Sequence, residues 1–278
     1  MSLSIGQSLN HYRILRPLGA GGMGEVYEAE DTKLGRRVAL KVLPAAWGAA
    51  PELRARLERE AAVLGRISHP NVVRVLAVGT VEARLGGGCY IALEWLPHAL
   101  DKLLRAQYPE PLAPARARGI ARDVAGGLEA VHREGLVHRD VKPSNVLLRA
   151  DGQPVLSDFG LARVAAGDGL ERLTPSHLVV GTADYLAPEV TTGLPADARS
   201  DVYALGVTLY ELLAGYVPFA GADPLETLRA HQERDPPPLP EAVPRPLRAV
   251  VGRALAKDPE LRFQSAGAMA RALEAAVG

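Results

Sequence analysis

The stretch that decides the fold runs from His138 to Gly160 and reads HRDVKPSNVLLRADGQPVLSDFG. Its first part, residues 138–145, is the densest polar cluster of the chain and lies between an apolar helix end and the apolar stretch Val146–Leu148. Pro143 interrupts any helix there, because proline lacks a backbone N–H and clashes with the preceding turn. The cluster is therefore predicted to be a polar loop that leads into a strand.

The remainder of the stretch predicts a β-hairpin that turns at Asp151-Gly152. If Leu148 pairs with Val155, Asn145 falls opposite Asp158, at the same end as the polar loop. Amide and carboxylate oxygens that converge in this way suit Mg²⁺ carried with substrate phosphates. The tripeptide Asp-Phe-Gly alone is a common turn, so this prediction depends on the register of the hairpin.

Residues 19–24, GAGGMG, contain the pattern G-x-G-x-x-G, which on its own also fits a plain turn. A dinucleotide-binding fold needs a helix after this pattern. Here the β-prone stretch 25–29 follows, so the glycines are predicted to bend an antiparallel hairpin. Such a hairpin can bring backbone N–H groups over phosphates, because no Cβ atoms stand in the way. Without G-K-[ST] it is not a P-loop.

Lys41 and Glu60 form another pair of candidate residues. Lys41 shares a strand face with Ala39, since side chains two residues apart point the same way. The predicted helix Pro51–Arg66 carries an apolar stripe of Leu53, Leu57, Ala61 and Leu64. Glu60 lies within that stripe, where an unpaired carboxylate is costly. Two alternatives are open: Glu60 reaches inward and holds the Lys41 ammonium near phosphates, or it borders the stripe and is solvated.

Two regimes follow one another along the chain. Residues 12–96 are predicted to form short strands, one of them over 72–78, together with the helix Pro51–Arg66. Residues 112–278 are predicted to be mainly helical, beginning with Pro114–Arg133. Residues 202–213 are apolar nearly all round, which predicts a buried central helix. Asp223 is predicted to cap a helix that begins at Pro224.

The composition excludes several functional classes. The chain has 278 residues with 32 Lys+Arg and 32 Asp+Glu, and this zero net charge argues against an electrostatic reader of nucleic acid. The single cysteine, Cys89, can form neither an internal disulfide nor a thiolate zinc site. No signal peptide and no run of about 18 to 20 apolar residues is found. We therefore expect a cytoplasmic location without membrane contact by this segment, or the cytosolic domain of an anchored protein.

Together these motifs resemble those of eukaryotic-type protein kinases of the serine/threonine class, above all the bacterial members. The resemblance covers the chain from about Tyr12 to Leu273, with the motifs in the expected order. It implies an α+β, two-lobed fold in one domain of residues 1–278: an antiparallel sheet with one helix over 12–96, and a mostly helical lobe over 97–278. It also implies that ATP and Mg²⁺, with Mn²⁺ as an alternative, lie in the cleft between the lobes, and that the γ-phosphoryl group passes to Ser or Thr hydroxyls of proteins.

The same resemblance assigns roles to individual residues. Asp140 is implied to accept the proton of the substrate hydroxyl, and Lys142 to steady the γ-phosphate. Lys41, held by Glu60, is implied to contact the α- and β-phosphates. The implied metal ligands are Asn145 and Asp158. The implied nucleotide-binding residues are Leu18, Gly19, Ala20, Gly21, Gly22, Met23 and Gly24 around the glycine loop, Val26, Ala39 and Leu147 against adenine, Leu93 as the gatekeeper, and Glu94 and Leu96 through their backbone.

Residues 158–189 correspond to the activation segment of these kinases, which closes with Ala187-Pro188-Glu189. Thr174 and Ser176 lie where regulatory phosphates are usually carried. A phosphate there would add about two negative charges that can face Arg139, while the alternative is an unmodified, mobile loop. Thr182 belongs to the implied substrate-positioning turn. Ordering of this segment is the switch that the resemblance implies.

Two further contacts follow from the resemblance. Asp201 is implied to anchor the polar loop, and Arg262 is implied to be the buried partner of Glu189. The chain departs from the family pattern at residues 96–100, LPHAL, which lack the usual glycine and are one residue short. The shape of the ribose-side rim therefore does not follow from the family.

Three rival functions fit the sequence less well. A pseudokinase scaffold would usually have lost a catalytic, metal-binding or phosphate-binding residue, and all are intact here. A small-molecule phosphotransferase of related fold would not need the peptide-binding shelf implied over 181–189. An NAD-dependent oxidoreductase would need a helix after Gly24. The expected partners are protein substrates and, for phosphorylation in trans, a second copy of the kinase.

Overall fold

The structure, a computed structural model, describes residues 3–21, 24–43, 51–82, 87–108, 110–159 and 183–277. These residues form two compact units. The first unit holds the described residues up to Ser68 together with Val73–Leu96. The second holds His69–Val72 and the described residues from Pro97 onward.

The first unit is built on a six-stranded antiparallel sheet with the order β1-β2-β3-β4-β6-β5. Its strands are β1 (Ser8–Leu9), β2 (Tyr12–Gly21), β3 (Gly24–Asp31), β4 (Arg36–Val42), β5 (Val75–Thr80) and β6 (Cys89–Glu94). Side chains alternate along each strand, so the sheet has two different faces. One face buries Tyr27 and Leu40, and Leu3 packs on it with its N–H donating to the Tyr27 Oη at 2.8 Å. The opposite face carries Ile91 and the buried, free thiol of Cys89.

Helix α1 (Pro51–Arg66) begins and ends where the sequence predicts. Ala61 and Leu64 are 2% and 1% exposed, which confirms their half of the predicted apolar stripe. The side chains of Leu53 and Leu57, the other half, lie outside the described part of the chain.

The second unit is mainly helical, as predicted. Its helices are α2 (Leu100–Gln107), α3 (Pro114–Arg133), α4 (Pro188–Thr191), α5 (Ala198–Ala214), α6 (Pro224–Glu233), α7 (Arg245–Ala254) and α8 (Ala266–Ala275). Its short strands β7 (His98–Ala99), β8 (Val146–Leu148) and β9 (Pro154–Leu156) form a separate antiparallel sheet. The predicted cap of α6 is confirmed, because the Asp223 carboxylate accepts the N–H of Glu226 at 2.8 Å. In the described stretches, no helix combines the length and apolar character that crossing a bilayer requires.

Helix α5 is the buried centre of this unit. Residues 200–210 are buried without a break, which confirms the prediction from its apolar sequence. Asp197 caps the helix by accepting the N–H of Arg199 at 2.7 Å, and the Ser200 hydroxyl accepts the N–H of Asp197 at 3.2 Å. The helix ends at Gly215, whose φ of 83° is left-handed and favours glycine.

The strand predicted over 72–78 begins later than predicted, at Val75. The reason is that the residues before it pack into the second unit. The Asn71 side chain donates to the carbonyl of Pro154 at 2.7 Å, and the Asn71 carbonyl accepts the N–H of Leu156 at 2.9 Å. Val72 therefore bridges to β9 rather than extending β5.

The stretch 96–100, which lacks the family's glycine, includes a strand that sequence patterns did not predict. His98 pairs with Leu148 and Ala99 with Leu147, so β7 adds a third strand to the β8–β9 hairpin. A strand of two residues has no periodicity to detect, and only its partner reveals it.

A buried histidine in this unit carries a testable pH dependence. His231 is 0% exposed, its Nδ1 lies 2.9 Å from the Tyr203 Oη, and its ring packs against Phe219. Burial, with a contribution from the Lys257 charge, lowers the pKa of His231 to about 4. The histidine is therefore neutral in the folded protein at neutral pH.

We expect the free energy of unfolding to fall by about 3 kcal/mol through His231 alone as pH drops from about 6.5 to 4. The sign follows because the unfolded chain takes up a proton in that window, whereas the folded chain does not. His231→Asn, which keeps an acceptor for Tyr203, should flatten this acid limb in urea unfolding measured from pH 7 to 4. His98→Asn, at an exposed position, serves as the control. Parallel pH curves for wild type and His231→Asn would refute the assignment.

Candidate active site

The polar loop is anchored on helix α5 by Asp201. One carboxylate oxygen of Asp201 accepts the N–H of His138 and the other accepts the N–H of Arg139, both at 2.8 Å. His132 from α3 contacts the same carboxylate through its Nε2 at 2.8 Å. Arg139 has a φ of 67°, a left-handed conformation that costs free energy in a non-glycine residue. The predicted role of Asp201 as the anchor of this loop is confirmed, and its bonds help to hold Arg139 in that conformation.

His138 ties the loop to the strand that precedes Asp158. Its Nδ1 accepts the N–H of Asp140 at 3.3 Å, so Nε2 carries the proton and donates to the carbonyl of Ser157 at 2.9 Å. The ring is fully buried and lies 4.8 Å from the ring of Phe159. Burial lowers the pKa of His138. Sequence reasoning gave His138 no role, and the apolar residues 136 and 137 directly before it were the available signal of burial.

Asp140 lies at the centre of the polar cluster. The Lys142 ammonium is 2.9 Å and 3.1 Å from its two carboxylate oxygens. The Asn145 side-chain nitrogen donates to the backbone carbonyl of Asp140 and to its carboxylate, both at 2.8 Å. Both amide hydrogens of Asn145 point toward Asp140, so its Oδ1 is the atom directed elsewhere. The structure thus brings together three of the predicted site residues.

The register of the β8–β9 hairpin corrects the prediction by one residue. Leu148 pairs with Pro154, not with Val155. The Arg149 N–H donates to the carbonyl of Gln153 at 2.9 Å, which leaves a three-residue loop whose last member is a glycine with φ 86°. Such loops are a common hairpin connection, whereas the predicted register needs a two-residue loop.

Because of this register, Asn145 lies opposite Ser157 rather than Asp158. The Ser157 N–H and hydroxyl both donate to the carbonyl of Asn145, at 2.8 Å and 3.0 Å. Asp158 follows directly and has a left-handed φ of 58°. Ser157, the residue before Asp158, is thus hydrogen-bonded to Asn145. The two predicted metal ligands, Asn145 and Asp158, are not themselves cross-strand partners.

In the first unit, Lys41 lies on the sheet face opposite to the Tyr27–Leu40 core. It pairs with Val26 on β3 and with Ile91 on β6, and directly paired residues share a face. Ala39, two residues earlier, pairs with Leu93. Four predicted nucleotide-site residues of this unit, Val26, Ala39, Lys41 and Leu93, therefore lie on one face. Leu147 belongs to the second unit.

The glycine loop is the bend of the β2–β3 hairpin, as predicted. The two strands are antiparallel and Gly21 pairs with Gly24, while Gly22 and Met23 lie outside the described residues. Leu18, Gly19 and Ala20 are exposed on β2. Gly24 has a φ of 117°, and a Cβ there would lie 2.1 Å from the carbonyl oxygen of Val42. The fold itself requires this glycine, a reason that sequence reasoning did not give.

Glu60 is half-buried on α1, next to the buried residues Ala61 and Leu64. This position lies at the edge of the helix face that packs inward. The ion pair between Lys41 and Glu60 remains a prediction.

Arg262 and Glu189 form the buried pair that the sequence predicts. Arg262 is 0% exposed and holds both Glu189 oxygens, at 2.9 Å and 2.8 Å. Its other N–H groups donate to the backbone carbonyls of Ala256, Lys257 and Arg199. Every donor of the guanidinium thus has an acceptor, as burial of a charge requires.

Ser200 is a third member of this site that sequence reasoning missed. Its hydroxyl donates to Glu189 at 2.6 Å. Burial alone would raise the pKa of Glu189, but the hydrogen bonds from Arg262 and Ser200 lower it. Glu189 is therefore ionised at neutral pH, and the start of α4 is tied to the start of α5.

A second bond holds the 3₁₀ turn Ala183–Tyr185 against α5. The Tyr185 hydroxyl donates to Glu211 at 2.6 Å, and burial raises the pKa of Glu211. Sequence analysis did not detect this pair, since neither residue stands in a polar cluster.

Comparison with known proteins places these features in a family. The family model described as "Protein kinase domain" matches residues 12–273. The chain belongs to the protein kinase family. It is 41% identical over 271 residues to the serine/threonine-protein kinase PknD of Mycobacterium tuberculosis, covering 96% of this chain and 40% of that protein. It is 40% identical over 273 residues to pkn2 of Myxococcus xanthus, covering 95% of this chain and 32% of that protein.

Solved structures show the same likeness. The crystal structure of the kinase domain of Mycobacterium tuberculosis PknI matches with a TM-score of 0.74 and 31% identity, covering 100% of both chains. The predicted two-lobed α+β kinase fold is confirmed. The chain spans about two fifths of the length of PknD.

Protein kinases use ATP and a divalent cation, and the chemistry of the second unit fits that use. The Oδ1 of Asn145 and the carboxylate of Asp158 are hard oxygen donors of the kind that Mg²⁺ and Mn²⁺ prefer. The predicted regulatory residues Thr174, Ser176 and Thr182 lie outside the described residues.

Proposed function

We propose that this chain is the catalytic domain of a serine/threonine protein kinase, which transfers the γ-phosphoryl group of ATP to Ser or Thr hydroxyls of proteins. The observation that carries the proposal is the position of the Asp140 carboxylate, which Lys142 and Asn145 hold in place. The loop that carries it is fixed by Asp201 through two backbone N–H groups, those of His138 and Arg139. A loop that is fixed in this way presents one general base, Asp140, in a defined position, as catalysis by proximity and orientation requires.

Asp140 would act on the acceptor. Its carboxylate is within reach of two hydrogen-bond donors that fix its orientation, and it would accept the proton of the incoming hydroxyl. The Lys142 ammonium, already on that carboxylate, would steady the transferred group. Most of the rate would come from placement and charge neutralisation, since the transition state of phosphoryl transfer is loose.

Asn145 and Asp158 would hold the divalent cation, Mg²⁺ or alternatively Mn²⁺. When bound, the cation supplies neutralisation of the phosphate charge. Asn145 would contribute Oδ1, because its amide hydrogens are committed to Asp140. Asp158, whose backbone is in the left-handed conformation, would contribute its carboxylate.

The nucleotide would be bound by residues on the face of the six-stranded sheet that carries Lys41. Lys41, assisted by Glu60, would contact phosphates, and Val26 and Ala39 would pack on adenine together with Leu147. The glycine loop from Leu18 to Gly24 would cover the phosphates. In segment 94–96, where the Glu94 N–H donates to the carbonyl of Arg74 at 3.0 Å, the backbones of Glu94 and Leu96 would bind the adenine.

The direct assay is incubation of the purified chain with radiolabelled ATP, Mg²⁺ and a protein acceptor rich in Ser and Thr. We expect label on Ser or Thr in the acceptor, and none with Asp140→Asn. Nucleotide binding without transfer under any metal condition would support a pseudokinase instead. Transfer to a small alcohol but never to protein would support a small-molecule phosphotransferase.

Autophosphorylation is a second expectation of this proposal. The candidate sites are Thr174 and Ser176, which lie within residues 158–189, the stretch that corresponds to the activation segment of the family. After incubation with ATP and Mg²⁺, mass spectrometry should find phosphate on residues 163–180, with Arg139 as its candidate cationic partner. A fully active enzyme that carries no phosphate in that stretch would refute the mapping. Mixing active chain with a tagged Lys41→Met copy would show whether the reaction occurs between two copies.

A further inference from the structure

A buried carboxylate lies on the same sheet face as Lys41. Glu28 on β3 pairs with Ala39 on β4, and its side chain is only 4% exposed. A carboxylate loses its hydration in such a place, so it is stable only with partners.

Two arginines supply those partners, one for each oxygen. Arg16 on β2 lies 2.7 Å from one oxygen of Glu28, and Arg37 on β4 lies 3.0 Å from the other. The arginine side chains are 57% and 61% exposed. The buried carboxylate therefore fixes the positions of two cations, one on each strand beside β3, and each of these cations keeps an exposed side.

Arg37 uses its exposed side to contact Trp95. Its guanidinium carbon lies 5.3 Å from the centroid of the indole ring, within the range of a cation–π interaction. Trp95 lies just beyond the sheet, because the last β4–β6 pair is Val38 with Glu94. Beyond Glu94, the contact between Arg37 and Trp95 takes over from the β4–β6 hydrogen bonds in fixing the position of the backbone.

We propose that Glu28, Arg37 and Trp95 form a positioning relay that fixes the backbone of residues 94–96 for binding adenine. The relay rests on the proposed function, because it takes Glu94 and Leu96 as the adenine-binding residues. Glu28 orients Arg37, Arg37 holds the indole, and the indole sets the peptide groups on either side of it. These are positioning residues, and none of them touches the reacting phosphate.

A matched control lies on the same strand. Glu30, two residues from Glu28 on β3, forms an ion pair with Arg13 across the β2–β3 ladder. Glu30 is 32% exposed, and its ion pair with Arg13 includes none of the three residues of the relay. Glu30→Gln removes this cross-strand ion pair while keeping Glu28, Arg37 and Trp95. Because Glu30 also faces Arg37 across the β3–β4 ladder, Arg13→Gln breaks the same ion pair from β2, on the other side of β3.

The test compares Glu28→Gln and Arg37→Gln with Glu30→Gln and Arg13→Gln. For the first two we expect the affinity for the non-hydrolysable ATP analogue AMP-PNP, measured by calorimetry, to fall about 3- to 10-fold. The KM for ATP should rise in parallel while kcat at saturating ATP stays within about twofold. The control variants should bind like wild type. Because Arg37 is largely exposed, Arg37→Gln keeps the test valid even if Glu28→Gln fails to fold.

The fluorescence of Trp95 gives a second measurement, which would not change if the Glu28–Arg37 ion pair only stabilised the fold. The chain has two tryptophans, so Trp47→Phe leaves Trp95 as the only indole reporter. In that background, Glu28→Gln and Arg37→Gln should lower the fluorescence anisotropy of Trp95 without nucleotide, and Glu30→Gln should not. Unchanged anisotropy together with unchanged AMP-PNP affinity would overturn the relay. A wild-type chain that binds no AMP-PNP at all would instead overturn the proposed function.

Discussion

Asp158→Asn should lower the rate of phosphoryl transfer at saturating ATP on the order of 10²-fold or more. The substitution keeps the size of the side chain and removes one negative charge from the implied cation site. Asparagine tolerates the left-handed conformation as well as aspartate does, so the φ of 58° at this position is retained. The loss would therefore report electrostatics rather than backbone strain. The measurement is single-turnover transfer of labelled phosphate at several Mg²⁺ concentrations.

Asp151→Asn is the matched control for this experiment. Asp151 lies in the loop of the same hairpin, is exposed, and accepts the N–H of Gln153 at 3.0 Å, a bond that asparagine can keep. Its transfer rate should stay within about twofold of wild type. If Asp158→Asn also stayed within that range, Asp158 would not be a metal ligand and the proposed site would be wrong.

Arg262→Met should lower the free energy of unfolding by about 3–5 kcal/mol, since it leaves the Glu189 carboxylate buried without its cation. For a chain of this length, that loss corresponds to a decrease in melting temperature of roughly 10 °C. Three backbone carbonyls would also lose their donor. Urea unfolding and calorimetry would measure both quantities.

Arg199→Met provides the comparison, because Arg199 is also an ion-paired arginine of the second unit. Its partners Asp197 and Glu260 have side chains that are 50% and 74% exposed, and such pairs contribute about 0–1 kcal/mol. Equal destabilisation by the two substitutions would contradict the importance assigned to burial of the Arg262–Glu189 pair.

The elements predicted well from the sequence are those that local signals specify. Pro114 begins α3, Asp223 and Pro224 begin α6, and the apolar sequence of α5 gives its burial. The family motifs added two contacts over long sequence distances, those of Asp201 and Arg262. Both were predictable because the motif order carries information that local pattern does not.

One feature missed by the sequence depends on a choice between turn types, and two others depend on where distant segments meet. The Asp151-Gly152 pair suits a two-residue turn and a three-residue loop equally, so the hairpin register required the Arg149–Gln153 bond. Ser200 reaches Glu189 only because α5 begins beside α4. The late start of β5 follows from the docking of Asn71 on Pro154. Packing between segments decides the last two cases, and one sequence does not encode it locally.

The central claim is that the chain transfers the γ-phosphoryl group of ATP to protein hydroxyls, and isotope labelling of that group tests it most directly. ATP whose γ-phosphoryl oxygens are heavy would be incubated with the chain, Mg²⁺ and a protein acceptor, and the acceptor would be analysed by fragmentation mass spectrometry. We predict heavy phosphate esters on serine and threonine side chains, absent when Asp140→Asn replaces the wild type. Heavy inorganic phosphate alone, with no labelled side chain in either the acceptor or the enzyme, would contradict the account.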